Sequence, residues 1–159
     1  MISCADICDA KGDTVQYADS MPFRHYSKKT QFGGPIRTVK CFEDNSRVKE
    51  VLATPGQGSV LVVDAGASCR RAVLGDLIAS SAQTNGWSGV IINGAIRDSA
   101  IIAGMDRVGV AALGTNPRKS QRRGLGTIDE RVCFNGLTFI PGHYVYVDLD
   151  GVIVSTEEI

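Results

Sequence analysis

No stretch of this sequence stays apolar for the roughly 20 residues needed to cross a bilayer. Its start, MISCADICDAKGD, has neither a basic n-region nor a long apolar core. A membrane span and a secretory leader are therefore not expected. Net charge is absent as well: 17 Lys and Arg balance 17 Asp and Glu, which removes any global electrostatic case for nucleic acid or an anionic membrane. The five cysteines, at 4, 8, 41, 69 and 133, are odd in number and form no C-x-x-C pair. A disulfide framework is not expected, a reducing cytoplasm is the simplest home, and buried thiols are the default for all five. Cys4 and Cys8 share a helix face with no second pair nearby, and His25 and His143 stand alone in sequence, so zinc is not expected. There is no internal repeat, low-complexity tract or linker. The 159 residues leave no room for a second full domain, and one domain spanning 1–159 can bury about 70% of its unfolded surface.

What is present is ordinary for an α/β protein: 43% hydrophobic residues, 21% charged and 18 glycines. Residues 3–10 read as a short helix. The run 36–42 (IRTVKCF) alternates enough to be a strand and follows a Gly33-Gly34-Pro35 breaker. Residues 46–53 look helical and stop at Pro55-Gly56. SVLVVD, 59–64, is a continuous apolar run and reads as a buried strand. A helix over 76–84 ends at Asn85-Gly86, and a second buried strand covers 89–92. A short helix over 99–105 and a strand over 108–113 come next. From Val132 the pattern changes to short strands, VCF, LTFI, HYVYVD and VIVS, split by Asn-Gly, Pro-Gly and Asp-Gly, the punctuation of hairpins. The expected class is α/β, with a central βαβ region and C-terminal antiparallel strands.

Two charged pairs sit at the ends of apolar elements. Gly75 allows a tight turn before the helix that Asp76-Leu77-Ile78 opens. The first N–H groups of such a helix lack internal partners and carry partial positive charge, which suits a carboxylate or phosphate; the plainer alternative is that Asp76 only caps the helix. Arg97-Asp98 follows the strand WSGVIING across a short turn, and open α/β sheets bind ligands at the carboxyl ends of their strands. Arg97 could grip a carboxylate with its planar fork. Asp98 could bind a hard divalent cation, since Mg²⁺ takes one or two protein carboxylates and fills its other positions with water and ligand oxygens. Here the plainer alternative is a surface turn in which Asp98 caps the next helix.

The spacing adds to this. Asp76, twenty intervening residues, Arg97 and Asp98 can be written D-x20-R-D. With GDLIA, GVIINGAIRD and GVAALGTNPRKS around it, ADICDA near the start and GLTFIPGHYVYVDLDGVIVS at the end, the chain resembles the RraA-like family over nearly its whole length. That family includes 4-hydroxy-4-methyl-2-oxoglutarate aldolases and regulators of ribonuclease E activity. The resemblance implies a compact single-domain β/β/α swivelling-type fold that assembles as a homotrimeric ring, with stacking into a hexamer left open. It implies a substrate carrying a pyruvyl carboxylate, held by the backbone of Gly75, Asp76, Leu77 and Ile78 and by Arg97. It implies Mg²⁺ or Mn²⁺ at Asp98. The family places a further carboxylate either at the Asp76 position or three residues after Asp98; this chain has Ile101 at the second and keeps Asp76.

The implied chemistry suits these residue types. Retro-aldol cleavage of 4-hydroxy-4-methyl-2-oxoglutarate gives two pyruvates through a pyruvate enolate, and decarboxylation of oxaloacetate gives the same enolate. A divalent cation stabilises that developing charge, Arg97 and the helix N-terminus fix the carboxylate, and Asp76 is assigned proton transfer through an ordered water.

Competing readings are weaker. A Schiff-base aldolase needs a lysine in an apolar pocket, and Lys40, the one lysine within a strand pattern, is expected to face solvent. Val63-Asp64-Ala65-Gly66-Ala67 has the look of a methyltransferase glycine loop but lacks G-x-G-x-x-G. The main rival is a non-enzymatic regulator that binds ribonuclease E or an RNA helicase by protein contact. The basic run 117–123 (PRKSQRR) has no interleaved aromatics for base stacking, so specific nucleic-acid binding is not expected of it.

Overall fold

The computed structural model describes all 159 residues, Met1–Ile159. In chain order it contains helix α1 (Cys4–Lys11), a 3-10 turn (Gly12–Thr14), strands β1 (Gln16–Tyr17), β2 (Arg24–His25) and β3 (Phe32–Lys40), and helix α2 (Ser46–Leu52). Then come β4 (Val60–Asp64), β5 (Ala72–Leu74), α3 (Asp76–Thr84), β6 (Gly89–Ile96) and α4 (Ser99–Ile102). Strands β7 (Gly109–Thr115), β8 (Thr127–Ile128), β9 (Val132–Phe134), β10 (Leu137–Phe139), β11 (Tyr144–Val147) and β12 (Val152–Ser155) complete the chain. No helix is long and apolar enough to cross a membrane.

The main sheet runs β1-β12-β11-β3-β4-β6-β7-β2. Its centre is parallel: β3 with β4, β4 with β6, and β6 with β7, each joined by a crossover carrying a helix, as the expected βαβ region requires. Strand β4 is buried on both faces because both are covered. Leu61 and Val63 join Val90 and Ile92 under helices α2, α3 and α4, in a cluster with Val48, Leu52, Ile78, Ala82 and Ile102. Val60, Val62 and Ile91 face the opposite way, onto Phe139 and Leu137 of the β9–β10 hairpin and onto Val145 and Val154. Helices, central sheet and a second β layer thus stack in the β/β/α order expected.

Several boundaries differ from the sequence reading. Gly33-Gly34-Pro35 does not break β3; it is where the strand changes neighbours. Phe32 to Pro35 pair antiparallel with β11, and Ile36 to Lys40 pair parallel with β4. A Cβ on Gly33 would lie 2.7 Å from the Val145 carbonyl oxygen, and one on Gly34 2.1 Å from that of Gly58, so the corner is made by closeness of approach. Strand β6 continues through Asn93-Gly94 to Ile96, with its register against β7 shifting between Ile92 and Ala95. Strand β5 has no signature in the sequence, because three residues carry too little periodicity. Pro141-Gly142 closes no hairpin, because β10 pairs only with β9 while β11 pairs with β3 and β12. Asn135-Gly136, both at positive φ, does close one, as predicted.

Lys40 is exposed, as its alternation predicts. The buried-thiol expectation holds for Cys4 and Cys41 and fails for Cys69 and Cys133, which are exposed. Cys69 lies on the β4–β5 loop, and Cys133 is on the outward side of β9. Burial, with Asp44 and Asp64 nearby, pushes the Cys41 thiol up to about 12, so it is inert as a nucleophile.

Candidate active site at the ends of β5, β6 and β7

The D-x20-R-D spacing converges because α3 is a crossover between two paired parallel strands. Strand β5 lies beside the end of β6, with Ala72 opposite Ala95 and Leu74 opposite Ile96, and the Arg97 N–H donates to the Leu74 carbonyl at 2.9 Å. Gly75-Asp76, just past the end of β5, therefore emerges next to Arg97-Asp98, just past the end of β6. The Asp76 N–H donates to Asp98 Oδ2 at 3.2 Å, and Arg97 Nε lies 3.5 Å from the same oxygen.

This geometry bears on the capping alternatives. Asp98 occupies the N-cap of α4, yet its side chain makes no capping bond there; it turns back toward α3. Its backbone is left-handed, φ 57°, a conformation that costs a non-glycine residue about 1–3 kcal/mol where it is strained and that concentrates at functional sites. Asp76 caps in part: its Oδ1 accepts from the Leu77 N–H at 2.8 Å. The Ile78 N–H meets no acceptor within the chain. Gly75 is the closest point of approach, since a Cβ there would stand 2.7 Å from Asp98 Oδ2 and 3.2 Å from Arg97 Nε.

Gly75, Asp76, Leu77, Ile78 and Arg97 all line one cleft, and Asp98 lies against its Gly75-Asp76 wall. The cleft also contains residues that the sequence reading did not select: Asn45, Lys119, Ser120 and Arg122. Lys119, Ser120 and Arg122 belong to the basic run, which is no freely solvated loop. The Ser120 N–H donates to the Ala72 carbonyl, the Gln121 N–H to that of Glu43, and the Arg123 N–H to Asp44 Oδ2 at 2.6 Å. Asp44 is buried. Its burial would raise its pKa, but hydrogen bonds from Ser46 and from the backbone of Arg123 and Leu125 outweigh this and hold it below the usual carboxylate range. The signal that could have found this wall is positional: the run follows β7, whose carboxyl end is beside that of β6, where an open α/β sheet binds ligands.

The family model described as RraA-like, Aldolase/RraA, matches residues 4–154. The chain belongs to the RraA-like family. Among RraA-like relatives, one from Hahella chejuensis is 52% identical over 152 residues, covering 96% of this chain and 92% of the relative. One from Pseudomonas fluorescens is 53% identical over 150 residues, covering 94% and 91%. Both bear the name "Putative 4-hydroxy-4-methyl-2-oxoglutarate aldolase". Two solved structures superpose over almost the whole chain. A Geobacillus kaustophilus protein named S-adenosylmethionine: 2-dimethylmenaquinone methyltransferase gives a TM-score of 0.96 at 47% identity, covering 99% of this chain and 97% of that one. The Thermus RNA-processing inhibitor RraA gives 0.95 at 33% identity, covering 100% and 95%. In this chain the loop after β4 folds on itself: Asp64 Oδ1 accepts from the Gly66 N–H and from Asn93 Nδ2, each at 3.0 Å.

The donor set at Asp98 fits a hard cation that keeps most of its own water. Asp98 Oδ1 and Asp76 Oδ2 accept no hydrogen bond within the chain. No three His, Cys, Asp or Glu side chains cluster to enclose an ion by themselves. An oxygen-ligated divalent cation with one or two protein carboxylates matches that arrangement; a site built wholly of protein ligands does not.

Proposed function

We propose that this chain is a lyase that cleaves 4-hydroxy-4-methyl-2-oxoglutarate into two pyruvates, and that it decarboxylates oxaloacetate through the same pyruvate enolate. The observation that carries this reading is the meeting of Gly75-Asp76 with Arg97-Asp98 at one cleft. The names of relatives at about half identity support it. The free Ile78 N–H and the Arg97 guanidinium hold the pyruvyl carboxylate and orient the keto group, and the Leu77 N–H joins them when Asp76 Oδ1 releases it. Asp98 would hold Mg²⁺ or Mn²⁺, which when bound supplies Lewis acidity toward the developing enolate oxygen. In the aldol cleavage the C4 hydroxyl loses its proton, the C3–C4 bond breaks, one pyruvate leaves as the ketone, and the enolate carbon of the other takes up a proton. Asp76, whose Oδ2 is free, relays that proton through water. The test is pyruvate release from both substrates, with and without Mg²⁺. Metal-dependent turnover of both is expected; no turnover of either contradicts the reading.

The second reading is a regulator that binds ribonuclease E or an RNA helicase by protein contact, favoured by the match to the Thermus inhibitor. The free carboxylate oxygens at the cleft favour the enzyme, since a scaffold has no use for them. We further propose a homotrimer as the smallest stable form, located in the cytoplasm, where its five free thiols stay reduced.

A further inference from the structure

The cleft holds more positive charge than the proposed reaction uses. Lys119 and Arg122 line it together with Arg97, and neither makes an ion pair within the chain. Arg71 nearby is already engaged, its Nη1 donating to the Lys119 carbonyl at 3.1 Å and its Nε 3.9 Å from Glu43. Arg122 is held at one point only: its Nε donates to Oδ1 of the buried Asn45 at 3.3 Å. That contact orients the guanidinium and leaves both terminal amino groups free, the fork that suits a carboxylate. The backbone beside both residues is held in place, Ser120 by Ala72 of β5 and Arg123 by Asp44 of the β3–α2 loop. Lys119 and Arg122 put two cations on one wall of the cleft, and an anion bound between them would relieve their mutual repulsion.

We infer that Lys119 and Arg122 form a second anion station, which takes the distal carboxylate of the substrate and makes the cleft selective for pyruvyl dicarboxylates over monocarboxylates. This rests on the proposed reading, in which Arg97 and the start of α3 hold the first carboxylate. The chemistry separates the two reactions. In retro-aldol cleavage the distal carboxylate leaves intact on the second product, so the cations can hold it throughout. In oxaloacetate decarboxylation that carboxylate itself departs as CO₂ and gives up its charge, which a pair of cations opposes.

The test is calorimetric binding, with Mg²⁺ in a low-salt buffer, of two keto acids that differ at the far end: 2-oxoglutarate, with a carboxylate there, and 2-oxopentanoate, with a methyl. Wild type should bind the dicarboxylate about tenfold or more tightly, as a charge-assisted contact implies. In a Lys119→Ala/Arg122→Ala variant, and in Arg122→Gln, that preference should shrink toward unity, with 2-oxopentanoate affinity unchanged and the circular dichroism native. Both residues are exposed, so folding should be unaffected. Arg97→Lys should weaken both acids alike. The double variant should also lose kcat/KM for 4-hydroxy-4-methyl-2-oxoglutarate while its oxaloacetate kcat rises, since the cations that oppose departure of the charge are gone. An unchanged preference in a folded double variant overturns the second station while leaving the first intact. Failure of wild type to bind either acid overturns the proposed function and the second station together.

Discussion

Gly75 has the smallest side chain in the cleft and the least room. Its φ of −126° is open to any residue, so alanine there brings no backbone strain. The added methyl would instead press on the Asp98 carboxylate and the Arg97 guanidinium, which can swing away. Gly75→Ala should therefore leave the melting temperature within a few degrees of wild type and lower kcat/KM by about tenfold or more, because a displacement of about an ångström at a reacting centre is costly. A large loss of stability with normal turnover would contradict this. Arg97→Lys keeps the charge but loses the fork, and Asp98→Asn keeps the shape but loses the anion. If each lost contact is worth about 3 kcal/mol in the transition state, each rate falls on the order of a hundredfold. Excess Mg²⁺ should partly rescue Asp98→Asn and hardly affect Arg97→Lys.

Among the elements, the basic ridge 117–123 depends most on one residue. Asp44 accepts the Arg123 N–H and, at 2.9 Å, the Ser46 N–H. Asp44→Asn should cost about 1–3 kcal/mol at neutral pH. The Asp44 pKa is lowered on folding. Its contribution is thus complete above the ordinary carboxylate value, about 3.9, and drains away as pH falls through the folded value. Urea melts of wild type and variant should differ at pH 7 and converge in acid; a gap that persists in acid would contradict the role. The ridge also marks the limit of what the sequence makes legible. Helix α3 and strand β4 announce themselves by glycine, apolar run and terminator, and the D-x20-R-D spacing points to Arg97 and Asp98. Strand β5 is too short for a period, and Gly33-Gly34-Pro35 looks like a terminator because only the β11 and Gly58 backbones, distant in sequence, show what the glycines make room for. Lys119 and Arg122 are exposed, as a basic run predicts, but nothing local shows that contacts of Ser120 with Ala72 and of Arg122 with Asn45 set them at the cleft.

At the scale of the whole molecule, Leu77, 80% exposed at the cleft's edge, and exposed Ile101, Phe42 and Leu125 are apolar side chains of the kind that the proposed trimer would cover. Light scattering should give a trimer, and a single 16.9 kDa species at micromolar concentration would contradict it. RNA contact through the basic ridge should be weak and steeply salt-dependent; tight sequence-selective binding that Arg122→Ala/Arg123→Ala abolishes would overturn that view. The central claim is that Arg97, Asp98 and the start of α3 together form a metal-dependent site for pyruvate enolate. Its most direct test is the rate of oxaloacetate decarboxylation by chelator-treated protein before and after Mg²⁺ is restored, in wild type, Arg97→Lys and Asp98→Asn of equal circular dichroism and oligomer size. The wild-type rate should vanish and return with the metal, and the variants should be slower by about a hundredfold. Folded variants with near-normal, metal-dependent turnover would contradict the claim.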